Sequence, residues 1–477
     1  MLQISKTTRA SGAKDLLVIL SDPSQLRSVD LERNDRQYLL EQLKDDAPVA
    51  TCDISGRLVM VHQVRGGGRS QQLERARQAG NAMALKLIGA KREEAQAIGL
   101  QEDPQLTLAL LEGAALGAYG FNRHKTGDQP RTLKKLGLVA QDVDAGNVQE
   151  MVDVCEAVCA ARDLVNEPVS HLNAVQLGQE AQKLGKASGF SVKVLNRKQI
   201  EAEGMGGLLA VNQGSIDPPA FIIMEWKPKN AVNKKPVLLV GKGMVYDTGG
   251  LSLKPTPNSM DSMKCDMAGA AAVIGAISAA AKCKLPVHVV ALAPAADNRP
   301  GGKAFAPGDV LKMHSGLTVE NLNSDAEGRL ILADALSYGE RYNAETVFTL
   351  ATLTGAAVRA IGTYGTVTMG TAPEDAFAML QASADHTFER VARMPFWDEY
   401  GDELKSDVAD LKNLGSALAG QITAGKFLAR FTTKPLIHLD IAGPAFLDKR
   451  DHYRTKGGTG VGVRLLFEYL KRRAAAK

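Results

Sequence analysis

Residues 236–255 read PVLLVGKGMVYDTGGLSLKP, and they give the clearest indication of the architecture of the chain. The apolar run from Val237 to Val240 is too short for a helix, and Gly241 follows it directly. A short apolar run without alternating polar residues is typical of a parallel strand that is buried on both faces. Helical spacing follows at 269–281, and a further apolar run follows at 286–292. Strands that alternate with helices in this way predict an α/β fold.

The same alternation extends over the rest of the chain. It predicts strands at 16–20, 58–61, 191–195, 220–224, 346–353 and 436–441, and helices at 71–84, 105–119, 148–165, 174–187 and 330–342. We therefore expect an N-terminal α/β domain at 1–147, a connecting helix at 148–168 and a larger catalytic α/β domain at 169–477. The larger domain should contain a mainly parallel, mixed central sheet that is covered by helices.

Composition excludes several classes of protein. The 477 residues include 57 Lys and Arg against 53 Asp and Glu, so a net charge of +4 indicates no dominant nucleic-acid surface. Five cysteines without a CxxC pair do not form a disulfide framework. The N-terminus lacks the pattern of a signal peptide, and the longest near-apolar run, 268–281, falls short of the roughly 18 residues that suggest a membrane span. We expect a cytoplasmic protein without a membrane segment.

Acidic side chains stand at the ends of the predicted strands and helices. Asp247 follows the strand at 236–240, Asp266 precedes the helix at 269–281, and Asp325 and Glu327 precede the helix at 330–342. We place all of them at loop or helix N-terminal positions. Ligands of parallel sheets bind beyond the carboxyl ends of the strands, and carboxylates gathered there repel one another unless cations neutralise them. Without HExxH or a Cys/His cluster, a metal site here would be rich in oxygen ligands.

Each of these residues has a simpler explanation when it is taken alone. Asp266 could cap a helix, and Asp325 with Glu327 could belong to a solvated turn. Lys242 and Lys254 could be surface lysines. The sequence has no GxSxG elbow, no phosphate loop and no GxGxxG fingerprint, which argues against a serine hydrolase or a nucleotide site.

Three blocks of sequence together resemble the signatures of the leucyl aminopeptidase family. They are VGKGMVYDTGGLSLKP at 240–255, MKCDMAGAAAV at 263–273 and NSDAEGRLILADAL at 323–336. ATLTGA at 351–356 and HLDIAG at 438–443 match as well, and the resemblance is strong from about residue 160 to the end. It implies a cytosolic two-metal exopeptidase that releases the first residue of peptides with a free N-terminus. It also implies a homohexamer.

The resemblance assigns metal ligands residue by residue. Asp247 and Glu327 would bridge two divalent cations, Mn or Zn. Asp325 would complete the shell of one cation, and Lys242 with Asp266 would complete the shell of the other. A lysine can be a ligand only as the neutral amine, so two adjacent cations would have to lower its pKa strongly.

The resemblance also assigns catalytic and substrate-binding residues. Lys254 would stay protonated and polarise the developing oxyanion, and Arg329 would hold a bicarbonate that serves as general base. The pocket for the first side chain would be mostly apolar and favour Leu or Met; its lining residues would be Met263, Asn323, Thr352, Gly355 and Ala442.

Two alternatives from other classes stay open. Some bacterial members of the family double as DNA-binding regulators, and basic residues that could form such a patch stand at 65, 69, 75, 77, 91 and 92. A solvated face is the more ordinary explanation of these charges. A two-metal phosphoesterase would also use the carboxylates, but it would need no site for a free amine.

Overall fold

The computed structural model describes residues 2–8, 14–45, 47–127 and 132–476. Its contacts divide the chain into two compact units. The first consists of residues 1–159 and 448–456, and the second of residues 160–447 and 457–477. The border lies within a long helix, Ala145–Asn166, where the sequence predicts the connecting helix. The domain boundaries at 147 and 168 stay a prediction.

The first unit has an α/β architecture that consists of a β-sheet and helices. Its strands are β1 (Gln3–Lys6), β2 (Asp15–Leu20), β3 (Ala50–Ile54), β4 (Arg57–Gln63), β5 (Glu94–Gly99) and β6 (Lys135–Val139). Its helices are α1 (Arg33–Lys44), α2 (Arg69–Gly89), α3 (Pro104–Gly117) and the beginning of α4 (Ala145–Asn166). The strand order is β1-β6-β5-β2-β4-β3, with β3 antiparallel to β4 and the other pairs parallel.

The second unit contains the elements that position the candidate site. Its strands are β7 (Ser191–Leu195), β8 (Ala220–Trp226), β9 (Val237–Gly241), β10 (Gly243–Asp247), β11 (Val289–Asn298), β12 (Val310–Lys312), β13 (Thr318–Glu320), β14 (Thr346–Ala351), β15 (Thr366–Gly370), β16 (Val391–Arg393), β17 (Leu411–Lys412), β18 (Leu436–Asp440), β19 (Phe446–Leu447) and β20 (Gly457–Gly458). Its helices are α5 (Ala174–Ser188), α6 (Arg197–Glu203), α7 (Gly206–Val211), α8 (Ala268–Lys282), α9 (Glu327–Gly339), α10 (Gly355–Ile361), α11 (Glu374–Thr387), α12 (Glu399–Asp402), α13 (Gly420–Ala429) and α14 (Val463–Ala475).

The main sheet of this unit runs in the order β16-β15-β18-β14-β9-β11-β8-β7, and β10 pairs with β11. The central strands β18, β14, β9 and β11 are parallel to one another. On one side β8 pairs antiparallel with β11, and β7 pairs antiparallel with β8. On the other side β15 pairs antiparallel with β18. Every residue of β9, β11 and β18 is buried. The predicted mixed, mainly parallel sheet is confirmed, and its parallel strands end at one common edge.

Two predicted details differ from the structure at that edge. The strand expected at 286–292 lies at Val289–Asn298, because its second half pairs with β10. Asp247, which we expected in a loop, is the last residue of β10 and lies opposite Asn298. Because glycines lie near Met244 and Val245, this strand was not recognised in the sequence. It is stabilised by pairing with β11 rather than by its own composition.

Helix α8 packs against the sheet at very short range. A Cβ atom at Gly269 would lie 2.0 Å from the carbonyl oxygen of Leu350 in β14, so only glycine fits there. By length and composition the stretch Met260–Lys282 could cross a membrane, but 89% of its apolar window is buried inside the protein. A buried core helix explains this composition.

Candidate metal and catalytic site

Carboxylates from separate segments meet at the carboxyl edge of the parallel strands. Oxygens of Asp247, Asp325 and Glu327 lie within 4.8 Å of one another. Asp247 ends β10, Asp325 precedes α9, and Glu327 is the first residue of α9. Asp247 and Glu327 are almost fully buried, at 2% and 1% exposure. Asp266 is also buried and is the last but one residue of a 3-10 helix, Met260–Met267, that leads into α8.

Two lysines tie these carboxylates together. Nζ of Lys242 lies 2.8 Å from Oδ2 of Asp266 and 2.9 Å from Oε1 of Glu327. Nζ of Lys254 lies 2.9 Å from Oδ2 of Asp247 and also contacts Asp325. The structure thus brings together all five predicted metal ligands and the predicted catalytic lysine.

The charges within this cluster do not balance. Four carboxylates face two ammonium groups, which leaves two negative charges in excess if all ionise. In the described part of the chain, the buried Oε2 of Glu327 has no hydrogen-bond partner. A buried carboxylate oxygen without a donor is costly, and a divalent cation would satisfy it. The oxygen-rich donor set therefore fits divalent metal ions.

The pKa values follow from burial and from the neighbouring charges. Burial, reinforced by the negative charge of Asp247, raises the pKa of Glu327 to about 8 although Lys242 opposes the shift. Burial likewise raises the pKa of Asp266 to about 6. For Lys242, burial alone would lower the pKa, but the attraction of Asp266, Glu327 and Asp247 raises it above its ordinary value. Without metal ions, Lys242 is therefore an ammonium group.

Asn298 is a site residue that the sequence reasoning missed. It is fully buried at the end of β11, and its Nδ2 donates to Oδ1 of Asp247 and to the carbonyl oxygen of Ser324, both at 2.9 Å. The backbone N–H of Gly249 donates to the same Oδ1 at 2.8 Å. These bonds orient Asp247 so that Oδ2 faces the cluster. The available signal was the position of Asn298 at the end of the largely apolar stretch 289–298.

Arg329 lies on the same helix as Glu327, as the third residue of α9. It is 5% exposed, and its Nη1 donates to the carbonyl oxygen of Asn413 at 2.7 Å. Its Nε has no hydrogen-bond partner among the described residues. Burial lowers the pKa of Arg329 to about 10, although Glu327 and Asp440 counteract the shift. The guanidinium thus stays charged, with one N–H free to bind an anion.

The predicted pocket residues lie on segments that border the cluster. Oγ1 of Thr352 donates to Oδ1 of Asp266 at 2.7 Å, and Oδ1 of Asn323 accepts the backbone N–H of Asp325 at 2.8 Å. The other three are placed by their elements: Gly355 begins α10, Ala442 follows β18, and Met263 belongs to the 3-10 helix before Asp266.

The basic residues of the first unit do not form a uniform free surface. Several are engaged by carboxylates, and the pairs are Arg69 with Asp103, Arg77 with Glu112 and Arg92 with Asp15. Arg77 is only 3% exposed. Arg65 and Arg75 donate to the backbone carbonyls of Leu43 and Gly66. Because these arginines form ion pairs and hydrogen bonds within the unit, a structural role explains their charges better than a DNA-binding patch does.

Comparison with known proteins gives consistent matches. The model of the cytosol aminopeptidase family, catalytic domain, matches residues 159–467. A protein of Chlorobaculum tepidum named "Probable cytosol aminopeptidase" is 47% identical over 389 residues, which cover 78% of this chain and 76% of the relative. The solved structure of the bottromycin maturation enzyme BotP in complex with Mn has a TM-score of 0.86 at 29% identity, covering 97% of this chain and 100% of that chain. The solved structure of a tomato leucine aminopeptidase mutant has a TM-score of 0.86 at 27% identity, and the match covers 99% of this chain and 97% of that chain.

Proposed function

Because the chain belongs to the cytosol aminopeptidase family, we propose that its carboxylate cluster removes the first residue of peptides, with a preference for Leu and Met. The chain is an aminopeptidase, a metal-dependent hydrolase that acts on peptides. The observation that carries the assignment of the site is the meeting of Asp247, Asp325 and Glu327 at the carboxyl edge of the sheet.

We assign two divalent cations, Mn or Zn, to this cluster. Asp247 and Glu327 would serve both cations, Asp325 would complete one shell, and Lys242 with Asp266 would complete the other. The excess negative charge and the partnerless Oε2 of Glu327 support this assignment. When bound, divalent cations acidify water and polarise carbonyl groups, which is the chemistry that peptide hydrolysis needs.

Lys254 supplies positive charge where the reaction develops negative charge. Its raised pKa keeps it protonated, because the attraction of Asp247, Glu327 and Asp325 outweighs the effect of burial. An ammonium group at the edge of the cluster stabilises the oxyanion formed from the scissile carbonyl. Removing such a partner costs on the order of 100- to 1000-fold in rate.

We propose that Arg329 would hold an anion that serves as general base, and that this anion would be bicarbonate. Its buried guanidinium and its partnerless Nε support an anion site beside Glu327. A bicarbonate bound there would supply a general base for the attacking water, and Arg329 would hold it in position.

The pocket for the first side chain is formed by Met263, Asn323, Thr352, Gly355 and Ala442. Its mostly apolar composition supports Leu and Met over charged side chains. Discrimination between apolar residues should be modest, since one methylene changes the selectivity by about 1–3 kcal/mol. The resemblance to the family supports a cytoplasmic homohexamer.

The proposal is tested by the hydrolysis of leucyl-p-nitroanilide by metal-reconstituted protein. We expect turnover that requires added Mn²⁺ or Zn²⁺, and none with N-acetyl-leucyl-p-nitroanilide, which lacks the free amine. Glu327→Ala should abolish turnover and lower metal content, because one carboxylate serves both cations.

Asp217→Asn is the matched control. This residue lies in the turn before β8, where its carboxylate accepts one long bond of 3.4 Å from Asn173, and the variant should keep its activity. Hydrolysis of p-nitrophenyl phosphate without peptide turnover would instead favour the phosphoesterase alternative. Salt-dependent retardation of duplex DNA would support a second, regulatory role.

A further inference from the structure

We propose that Asp440 is a positioning residue that sets the selectivity for the first substrate residue by holding the segment 352–355 in place. The inference rests on the proposed function, since it concerns the pocket of that site. Asp440 is the last residue of β18 and is 1% exposed. It lies beside Ala351, the last residue of the parallel strand β14.

The carboxylate of Asp440 binds two of the segments that carry predicted pocket residues. Oδ2 accepts the hydroxyl of Thr354 at 2.7 Å, and Oδ1 accepts the backbone N–H of Leu353 at 3.2 Å. Oδ1 also accepts the backbone N–H of Ala442 at 3.2 Å. Asp440 therefore joins the segment after β14 to the segment after β18.

Side chains of the carboxylate cluster hold the other end of segment 352–355. The carbonyl oxygen of Thr352 accepts Nζ of Lys242 at 3.0 Å, and its hydroxyl donates to Asp266 at 2.7 Å. The segment is thus held by the cluster at one end and by Asp440 at the other. Loss of the Asp440 contacts would leave the cluster contacts in place but free the pocket wall.

The hydroxyl group of Thr354 makes the shortest of the bonds between this segment and Asp440. While Oγ1 donates to Asp440, it also accepts the backbone N–H of Ala357 at 3.0 Å and so caps the N-terminus of α10. Gly355, a predicted pocket residue, is the first residue of α10. Removing the hydroxyl should therefore shift the wall that meets the substrate side chain, while the chemistry at the carboxylates continues.

The test compares Thr354→Val, which lacks the hydroxyl, with Thr354→Ser, which keeps it. For each variant, kcat and KM are measured on leucyl-, methionyl- and alanyl-p-nitroanilide, together with metal content. We expect Thr354→Val to lower the ratio of kcat/KM for leucyl over alanyl substrate by about tenfold, mainly through KM, with full metal content. Thr354→Ser should retain the ratio of the parent protein, and Asp440→Ala should shift it in the same direction as Thr354→Val.

Three outcomes would overturn the inference. These are an unchanged leucyl-to-alanyl ratio in Thr354→Val, an equal loss on all substrates together with lost metal, and the same loss in Thr354→Ser as in Thr354→Val. A failure of the proposed function is distinguishable, because the parent protein would then cleave none of the aminoacyl substrates.

Discussion

Gly328, between Glu327 and Arg329 on α9, leaves room for the side chain of Lys242. A Cβ atom at this position would lie 2.5 Å from Cε, 2.7 Å from Nζ and 2.8 Å from Cδ of that lysine. Ordinary contacts between carbon atoms lie at about 3.5–4.0 Å, so Gly328→Ala must displace the end of Lys242 by about 1 Å. The far end of a lysine can move, and alanine favours a helix over glycine by up to about 1 kcal/mol. The variant should therefore fold.

The same displacement should damage the site. Lys242 is 3% exposed and lies between two carboxylates at 2.8 and 2.9 Å, so it has little room to move without losing these contacts. A misplacement of about 1 Å can cost on the order of 100-fold in rate, and we expect a loss of kcat of that size together with weaker binding of one metal ion.

The assay is kcat on leucyl-p-nitroanilide, with metal content and thermal unfolding measured on the same preparation. Gly89→Ala is the matched control, because Gly89 ends α2 and a Cβ atom there would meet nothing within 4 Å. If Gly328→Ala folds normally and retains the kcat and metal content of the parent, the proposed role of Lys242 is wrong.

The remaining predictions concern single side chains. Lys242→Met should weaken one metal site so that excess metal restores part of the activity, whereas Lys254→Met should keep both metals and lose about 100- to 1000-fold in kcat; equal metal loss in both variants, measured by elemental analysis, would contradict these roles. Arg329→Ala should retain both metals but lose the stimulation of kcat by added bicarbonate. If bicarbonate still stimulated this variant, Arg329 would not be the residue that binds the anion. Burial and the charge of Arg329 lower the pKa of His438 to about 3, so the folded protein loses stability as pH falls from about 6.5 towards 3, where only the unfolded chain takes up the proton. His438→Asn can still bind Thr349 but cannot be protonated, so its urea midpoint should fall less between pH 7.5 and 5 than that of the parent.

The fold could be predicted from sequence wherever a strand carries its own signal. Runs such as Val237–Val240 are apolar throughout because both faces of the strand are covered, and this is visible without a structure. Strand β10 escaped prediction because it depends on pairing with β11 and contains glycine at its start.

The types of residue in the candidate site could be predicted from the sequence, but the hydrogen bonds between them could not. Motif blocks identified Asp247, Asp325 and Glu327, whose proximity follows once the parallel strands share an edge. The roles of Asn298 and Asp440 could not be predicted, because they depend on which side chain lies within 3 Å of which neighbour. Such contacts are set by strand order and register, which periodicity does not reveal.

The most direct test of the metal site is anomalous diffraction from crystals of the protein grown with Zn²⁺. We predict two zinc peaks per chain, both bounded by Asp247 and Glu327, with carboxylate oxygens at about 2.0–2.2 Å. Asp325 should contact only one of the two ions, and Asp266 only the other. An absence of peaks among these carboxylates, or peaks of full height there in Glu327→Ala, would contradict the account.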